Sequence, residues 1–122
     1  MGKTVLIADD NESVRTILKL TLQFKGYTII EVDDGAKALD LLSSGQTPVD
    51  LLISDIAMPN MSGLELLARL RSEERFASLP ILICSAEEDA TEADMLKRGA
   101  TAFLVKPCPP SKLLDTVRGM IG

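Results

Sequence analysis

The chain reads VDLLISDIAMP from residue 49 to residue 59, an apolar run followed by an aspartate and a loop. The short apolar run Leu51–Ile53 indicates a strand that is buried on both faces of a sheet. Met58 and Pro59 begin a segment that breaks regular structure. Asp55 therefore stands at the carboxyl end of a buried strand, which is where ligands bind in open α/β sheets.

The same arrangement extends along the chain, because five apolar runs alternate with five segments of helical period. The runs are Val5–Ala8, Tyr27–Val32, Leu51–Ser54, Ile81–Cys84 and Ala102–Val105. The predicted helices are Glu12–Lys25, Gly35–Ser44, one with Ser62 as N-cap, Thr91–Arg98 and one that follows Ser111. Strict alternation predicts one α/β domain over residues 1–122, a doubly wound parallel sheet with helices on both faces.

Helical spacing also predicts which side chains face the sheet. The first helix should bury Val14, Ile17, Leu18, Thr21 and Leu22, and the third Leu64, Leu67 and Leu70. Ser62 and Glu65 form a capping-box pattern at the start of the third helix.

Composition excludes several classes of function. Thirteen basic and eighteen acidic residues give a net charge of −5, the wrong sign for binding a nucleic-acid backbone. No apolar run reaches the roughly 20 residues that a membrane span needs, so we expect a cytoplasmic protein. The chain has no histidine, which excludes a Ser/His/Asp triad and histidine metal ligands. The two cysteines fit no zinc spacing, and we expect Cys84 to be a buried apolar residue.

Polar residues stand at the ends of four predicted strands. Asp9 and Asp10 follow the first strand, Asp55 the third, Ser85 the fourth and Lys106 the fifth. Parallel strands bring these ends to one edge of the sheet. Two unit charges 4 Å apart repel by about 4 kcal/mol at an effective dielectric near 20, so three carboxylates there need a cation. Oxygen ligands with room for water favour Mg²⁺.

Each of these residues also has a simpler interpretation when it is taken alone. Asp10 or Asn11 could cap the first helix, and Asp55 could be a turn former. Ser85 could be another cap, and Lys106 a solvated surface residue. Their joint placement on four strand ends favours a single magnesium and phosphoryl site.

Four motifs carry a resemblance to a known family. They are LIADDN at 6–11, DIAMPNMSG at 55–63, ICSA at 83–86 and VKP at 105–107. In this order the sequence resembles a response-regulator receiver domain of two-component signalling, over essentially the whole chain. The resemblance implies a flavodoxin-like fold of five strands in the order 2-1-3-4-5 with five helices.

The resemblance also implies a role for each site residue. Asp55 would attack the phosphorus of a phosphohistidine on a partner, a sensor histidine kinase or a histidine phosphotransfer protein, in a Mg²⁺-dependent reaction. Asp10, Asp55 and the backbone carbonyl of Ala57 would ligate Mg²⁺, and Asp9 would act through a coordinated water. Lys106 would pair with a phosphoryl oxygen, before a proline that the family joins through a cis peptide bond.

Ser85 and Phe103 would form the switch. By the resemblance, the Ser85 hydroxyl binds another phosphoryl oxygen and the Phe103 ring swings inward. This movement would reshape the face of helix 4, strand 5 and helix 5, and so control a downstream effector or a fused output domain. The protein would catalyse its own phosphorylation and dephosphorylation but would be a signalling switch, not a turnover enzyme.

Three other interpretations stay open on the sequence. A flavodoxin-type electron carrier would need a loop that accepts phosphate, which Asp9 and Asp10 would repel. An aspartyl-phosphate hydrolase commonly has a second acid where this chain has Ala57. A degenerate receiver would serve only as a phosphorylation-independent binding module, although all five site residues are present.

Overall fold

Strands and helices alternate throughout the computed structural model, which describes residues 2–122. The strands are β1 (Thr4–Ala8), β2 (Thr28–Val32), β3 (Leu51–Ser54), β4 (Ile81–Ser85) and β5 (Ala102–Val105). The helices are α1 (Glu12–Phe24), α2 (Gly35–Ser44), α3 (Gly63–Arg71), α4 (Glu92–Lys97) and α5 (Pro110–Ile121). None of these helices has both the length and the apolar character that crossing a membrane requires.

The five strands form one parallel sheet in the order β2-β1-β3-β4-β5. This confirms the flavodoxin-like fold expected from the sequence. The register pairs Ala8 with Ser54 and Ser85 with Val105, so neighbouring strands end at nearly the same level. The residues that follow β1, β3 and β5 therefore share one edge with the end of β4.

The sheet separates two apolar clusters, because successive residues of each strand face opposite sides. Leu6 of β1 packs with residues of α2, α3 and α4, whereas Val5 and Ile7 pack with residues of α1 and α5. All four residues of β3 are buried, as expected of a strand covered on both faces. The two apolar clusters therefore cover both faces of the sheet.

Several predicted details were wrong. Ile17 is 61% exposed, because α1 rests on the sheet through Leu18 and Leu22. On α3 it is Leu66 that is fully buried with Leu67 and Leu70, while Leu64 is only partly covered.

The ends of two strands differ from the predicted ends by one residue. β2 begins at Thr28 and not at Tyr27, and β4 includes Ser85, which the sequence predicts to follow the strand. A short 3-10 turn at Glu74–Phe76 was not predicted.

Gly2 and Gly122 lie near each other at the edge of the sheet opposite the acidic residues. Tyr27 directly precedes β2, and its hydroxyl donates a hydrogen bond to the Gly122 carbonyl at 3.1 Å. Gly2 and Gly122 line the same surface hollow, together with Gly26.

Candidate functional site

Three carboxylates converge at the carboxyl edge of the sheet. Asp9 and Asp10 follow β1 and Asp55 follows β3, and one oxygen from each lies within 4.8 Å of the others. Asp9 is buried, Asp55 is partly exposed and Asp10 is exposed, so the cluster opens to solvent on one side. Hard oxygen ligands around an open position suit a divalent cation that keeps several waters. The donor set therefore fits Mg²⁺.

Lys106 reaches this cluster from the end of β5. Its Nζ lies 2.5 Å from Asp9 Oδ2 and 3.1 Å from Asp55 Oδ2. Its backbone N–H donates to the Ser85 carbonyl at 2.9 Å, and the peptide bond to Pro107 is cis, as the resemblance implies. The ammonium group thus neutralises part of the acidic cluster and is held beside Asp55.

The protonation of the site reflects burial and the ion pairs together. Burial raises the pKa of Asp55, and the charge and hydrogen bond of Lys106 oppose that rise only in part. Burial lowers the pKa of Lys106, but the Asp9 hydrogen bond and the charges of Asp55 and Asp9 outweigh it and raise the pKa above the ordinary value. Lys106 is therefore a firmly protonated partner for an anionic group.

The loop after β1 is fixed by hydrogen bonds that position Asp9. Its Oδ1 accepts from the Asn11 N–H at 2.9 Å, and the Asn11 side chain in turn caps α1 through the Val14 N–H. The Arg15 guanidinium donates to the Asp9 backbone carbonyl at 2.7 Å. Arg15 was not predicted to matter, and its helical position alone gave no signal of this contact.

Hydrogen bonds of Asp55 and Asn60 fix the loop after β3. Asp55 Oδ1 accepts from the Ile56 N–H at 2.7 Å. Asn60 has a left-handed backbone with φ of 66°, and its side-chain amide donates to Asp34 Oδ2 at 2.8 Å. Asp34 is buried and also caps α2. Sequence reasoning missed this Asp34–Asn60 contact, which ties the loop to α2.

α3 begins close against the same loop. The capping box of Ser62 and Glu65 is present, as predicted. The Gly63 N–H donates to the Ile56 carbonyl at 2.7 Å. A Cβ at Gly63 would lie 1.8 Å from the Asp55 carbonyl oxygen, so only glycine allows this approach.

The remaining predicted residues surround the cluster without all touching it. Ser85 is fully buried, and its Oγ accepts from the Glu87 N–H at 3.0 Å, which leaves the hydroxyl hydrogen free to donate elsewhere. Within residues 2–122 this hydroxyl has no hydrogen bond to Asp55. Phe103 is only 8% exposed, with its ring already packed in the core. Ala57 is exposed in the loop after Asp55.

Comparison with known proteins places this geometry in a family. Residues 5–118 match the response regulator receiver domain. A chemotaxis protein CheY homolog of Campylobacter jejuni is 34% identical over 97% of this chain and 92% of its own length. The response regulator GtcR of Aneurinibacillus migulanus is 38% identical over 99% of this chain but only 48% of its own length.

Solved structures give the same result for the fold. The chemotaxis response regulator CheY4 of Vibrio cholerae is 33% identical, with a TM-score of 0.85 over 98% of this chain and 99% of its own. Sequence and fold thus agree over nearly every residue described. The chain belongs to the receiver domains of response regulators, the phosphorelay switches of two-component signalling.

Proposed function

We propose that Asp55 is the phosphoryl acceptor of this receiver domain. A carboxylate oxygen of Asp55 attacks the phosphorus of a phosphohistidine, and a P–O bond forms while the P–N bond breaks. Asp55 becomes an acyl phosphate, and the imidazole of the partner is the leaving group. The observation that carries the proposal is the position of Asp55, 3.1 Å from Lys106 and with an oxygen within 4.8 Å of oxygens of Asp9 and Asp10. Phosphoryl transfer asks a protein mainly for positioning and charge neutralisation, which these groups supply.

The protein's own residues divide this work between them. The Ile56 N–H orients the Asp55 carboxylate. In this proposal Lys106 pairs with one phosphoryl oxygen, and the Ser85 hydroxyl donates a hydrogen bond to another. Asp10, Asp55 and the carbonyl of Ala57 are the proposed Mg²⁺ ligands, with Asp9 acting through a water. When bound, the metal neutralises the phosphoryl oxygens and the clustered carboxylates.

The phosphoryl donor in this proposal is a sensor histidine kinase or a histidine phosphotransfer protein. The output is the face of α4, β5 and α5, read by a downstream effector or a fused domain. Leu96 and Val105 support this, since both are apolar and stand 44% and 58% exposed on that face. Phe103, packed just beneath, is the proposed switch residue. We propose that residues 1–122 form one receiver domain that works in the cytoplasm.

Intact mass after incubation with acetyl phosphate and Mg²⁺ tests the proposal. We expect wild type to gain one phosphoryl group, and the gain to vanish with a chelator or in Asp55→Asn. Asp40→Asn is the matched control, because Asp40 is an exposed aspartate on α2, and it should be phosphorylated like wild type. Folded wild type that stays unmodified would instead favour the phosphorylation-independent binding module.

A further inference from the structure

The two cysteines of the chain meet beside the site. Cys84 is the penultimate residue of β4, and Cys108 lies in the connection from β5 to α5. Their sulfur atoms are 4.0 Å apart, and both are free thiols. A disulfide needs about 2.05 Å between the sulfurs, so they would have to approach by roughly 2 Å. Because Cys108 is on a connection and not within the sheet, it can supply that movement.

The two thiols have unequal surroundings. Cys84 is 2% exposed within the apolar cluster beneath α5. Cys108 is half-buried and lines a surface depression of about 530 Å³. The hydrogen bond from Cys84 lowers the pKa of Cys108, with help from the charges of Lys106 and Lys112. Cys108 is thus the accessible nucleophile and Cys84 the sheltered one.

We propose that Cys84 and Cys108 are an oxidation site at which a hydroperoxide forms an intrachain disulfide. The Cys108 thiolate attacks a peroxide oxygen and the O–O bond breaks, which gives a sulfenic acid and, after protonation, water from hydrogen peroxide. The Cys84 sulfur then attacks the sulfenic sulfur. An S–S bond forms, the S–O bond breaks, and the oxygen leaves as water with the proton of Cys84. Two thiols lose two electrons and the peroxide is reduced to two waters.

The crosslink would join two parts of the phosphoryl site. Cys84 directly precedes Ser85, and Cys108 follows Lys106 by two residues. Drawing the sulfurs together displaces the connection that presents Lys106 to Asp55. Misplacement of about 1 Å can slow a reaction up to about 100-fold, and we expect roughly tenfold slower phosphorylation of the oxidised protein. This second expectation rests on the proposed function.

The site is tested by treating the reduced full chain with hydrogen peroxide, with free cysteine in a separate tube at the same peroxide concentration to calibrate the dose. We expect a monomer that has lost two hydrogen atoms in intact mass, has no thiol left to label after denaturation, and recovers both thiols with dithiothreitol. Neither Cys108→Ser nor Cys84→Ser should lose two hydrogen atoms, because each keeps only one thiol, and Cys84→Ser should instead gain oxygen at Cys108. In wild type, addition of oxygen without hydrogen loss, a disulfide-linked dimer, or no reaction at that dose would overturn the proposal.

Acetyl phosphate then measures the effect on the site. The disulfide form should be phosphorylated roughly tenfold more slowly than reduced wild type, with full recovery on reduction. Cys108→Ser should keep one rate with and without peroxide. An unchanged rate in the disulfide form would refute the coupling to Lys106. If reduced wild type takes no phosphoryl group, the proposed function fails while the mass result still decides the oxidation site.

Discussion

At the scale of single residues, the acidic cluster depends on one lysine. Lys106, Asp9 and Asp55 are each less than 15% exposed, so their charges are poorly screened by water. Removing one partner of a buried ion pair leaves the others uncompensated, which costs more than the pair itself contributes. A divalent cation and Lys106 neutralise the same carboxylates and therefore compete in part.

Lys106→Met should reveal this competition. We expect the metal-free variant to lose about 2 kcal/mol of stability, because the carboxylates keep their mutual repulsion without the ammonium group. Mg²⁺ should then raise the melting temperature of the variant by more than it raises that of wild type. Thermal unfolding with and without Mg²⁺ measures both effects. Lys112→Met, at an exposed lysine of α5, is the control and should respond to Mg²⁺ like wild type. If Mg²⁺ raised the melting temperature of Lys106→Met and of wild type equally, Lys106 and Mg²⁺ would not compete.

We expect the small side chain of Ala57 to leave the phosphoryl group open to water. Its side chain is a methyl group on an exposed loop two residues after Asp55. Ala57→Arg should lengthen the lifetime of the acyl phosphate several-fold, because a long side chain can cover the attacking side. The decay of phosphorylated protein after removal of the donor gives the lifetime. Ala77→Arg, at an exposed alanine outside the site, should decay like wild type; equal decay of all three would refute the role of Ala57.

At the scale of elements, α3 is fitted against the loop that carries Asp55. Gly63→Ala should destabilise the fold by about 2 kcal/mol, since the new Cβ would meet the Asp55 carbonyl at 1.8 Å and the helix would have to move. Gly119→Ala on α5 is the matched control, because no atom lies within 4 Å of its Cβ. That variant should gain about 0.5–1 kcal/mol from helix propensity. Urea unfolding should show a lower free energy of unfolding for Gly63→Ala and a higher one for Gly119→Ala. If both substitutions changed the free energy of unfolding equally, contact with the Asp55 carbonyl would not be the cause.

α1 presents an apolar stripe that the domain leaves uncovered. Ile17, Leu20 and Phe24 are 61%, 59% and 84% exposed and lie at helical spacing. Since α1 begins at Glu12, two residues after Asp10, we expect a protein that brings phosphohistidine to Asp55 to cover this helix as well. Ile17→Ser with Leu20→Ser should slow transfer from a phosphohistidine protein about tenfold and leave transfer from acetyl phosphate unchanged. Leu96→Ser on α4 is the control, and equal slowing with both donors would point to a folding defect.

At the scale of the whole molecule, the sheet and the convergence of Asp9, Asp10, Asp55 and Lys106 could be predicted from the sequence. Polar residues end runs that are otherwise apolar, and parallel pairing brings those ends together. The Asp34–Asn60 contact could not be predicted, because it depends on the left-handed backbone of Asn60 and on two elements that pairing alone does not align. Nor could the exposure of Ile17, since helical period gives a wider apolar stripe than the sheet covers.

Because Gly2 and Gly122 lie near each other, we expect that the order of the strands and helices along the chain can be permuted without changing the fold. A circular permutant that joins Gly2 and Gly122 by a short glycine linker and opens the chain between Gln46 and Thr47 should fold, and Mg²⁺ should still raise its melting temperature. A permutant that opens between Asn60 and Met61 should show no such rise, because the opening cuts the loop that holds Asp55. We therefore expect that residues 2–122 can be inserted into another protein through Gly2 and Gly122, at the edge of the sheet opposite the acidic cluster.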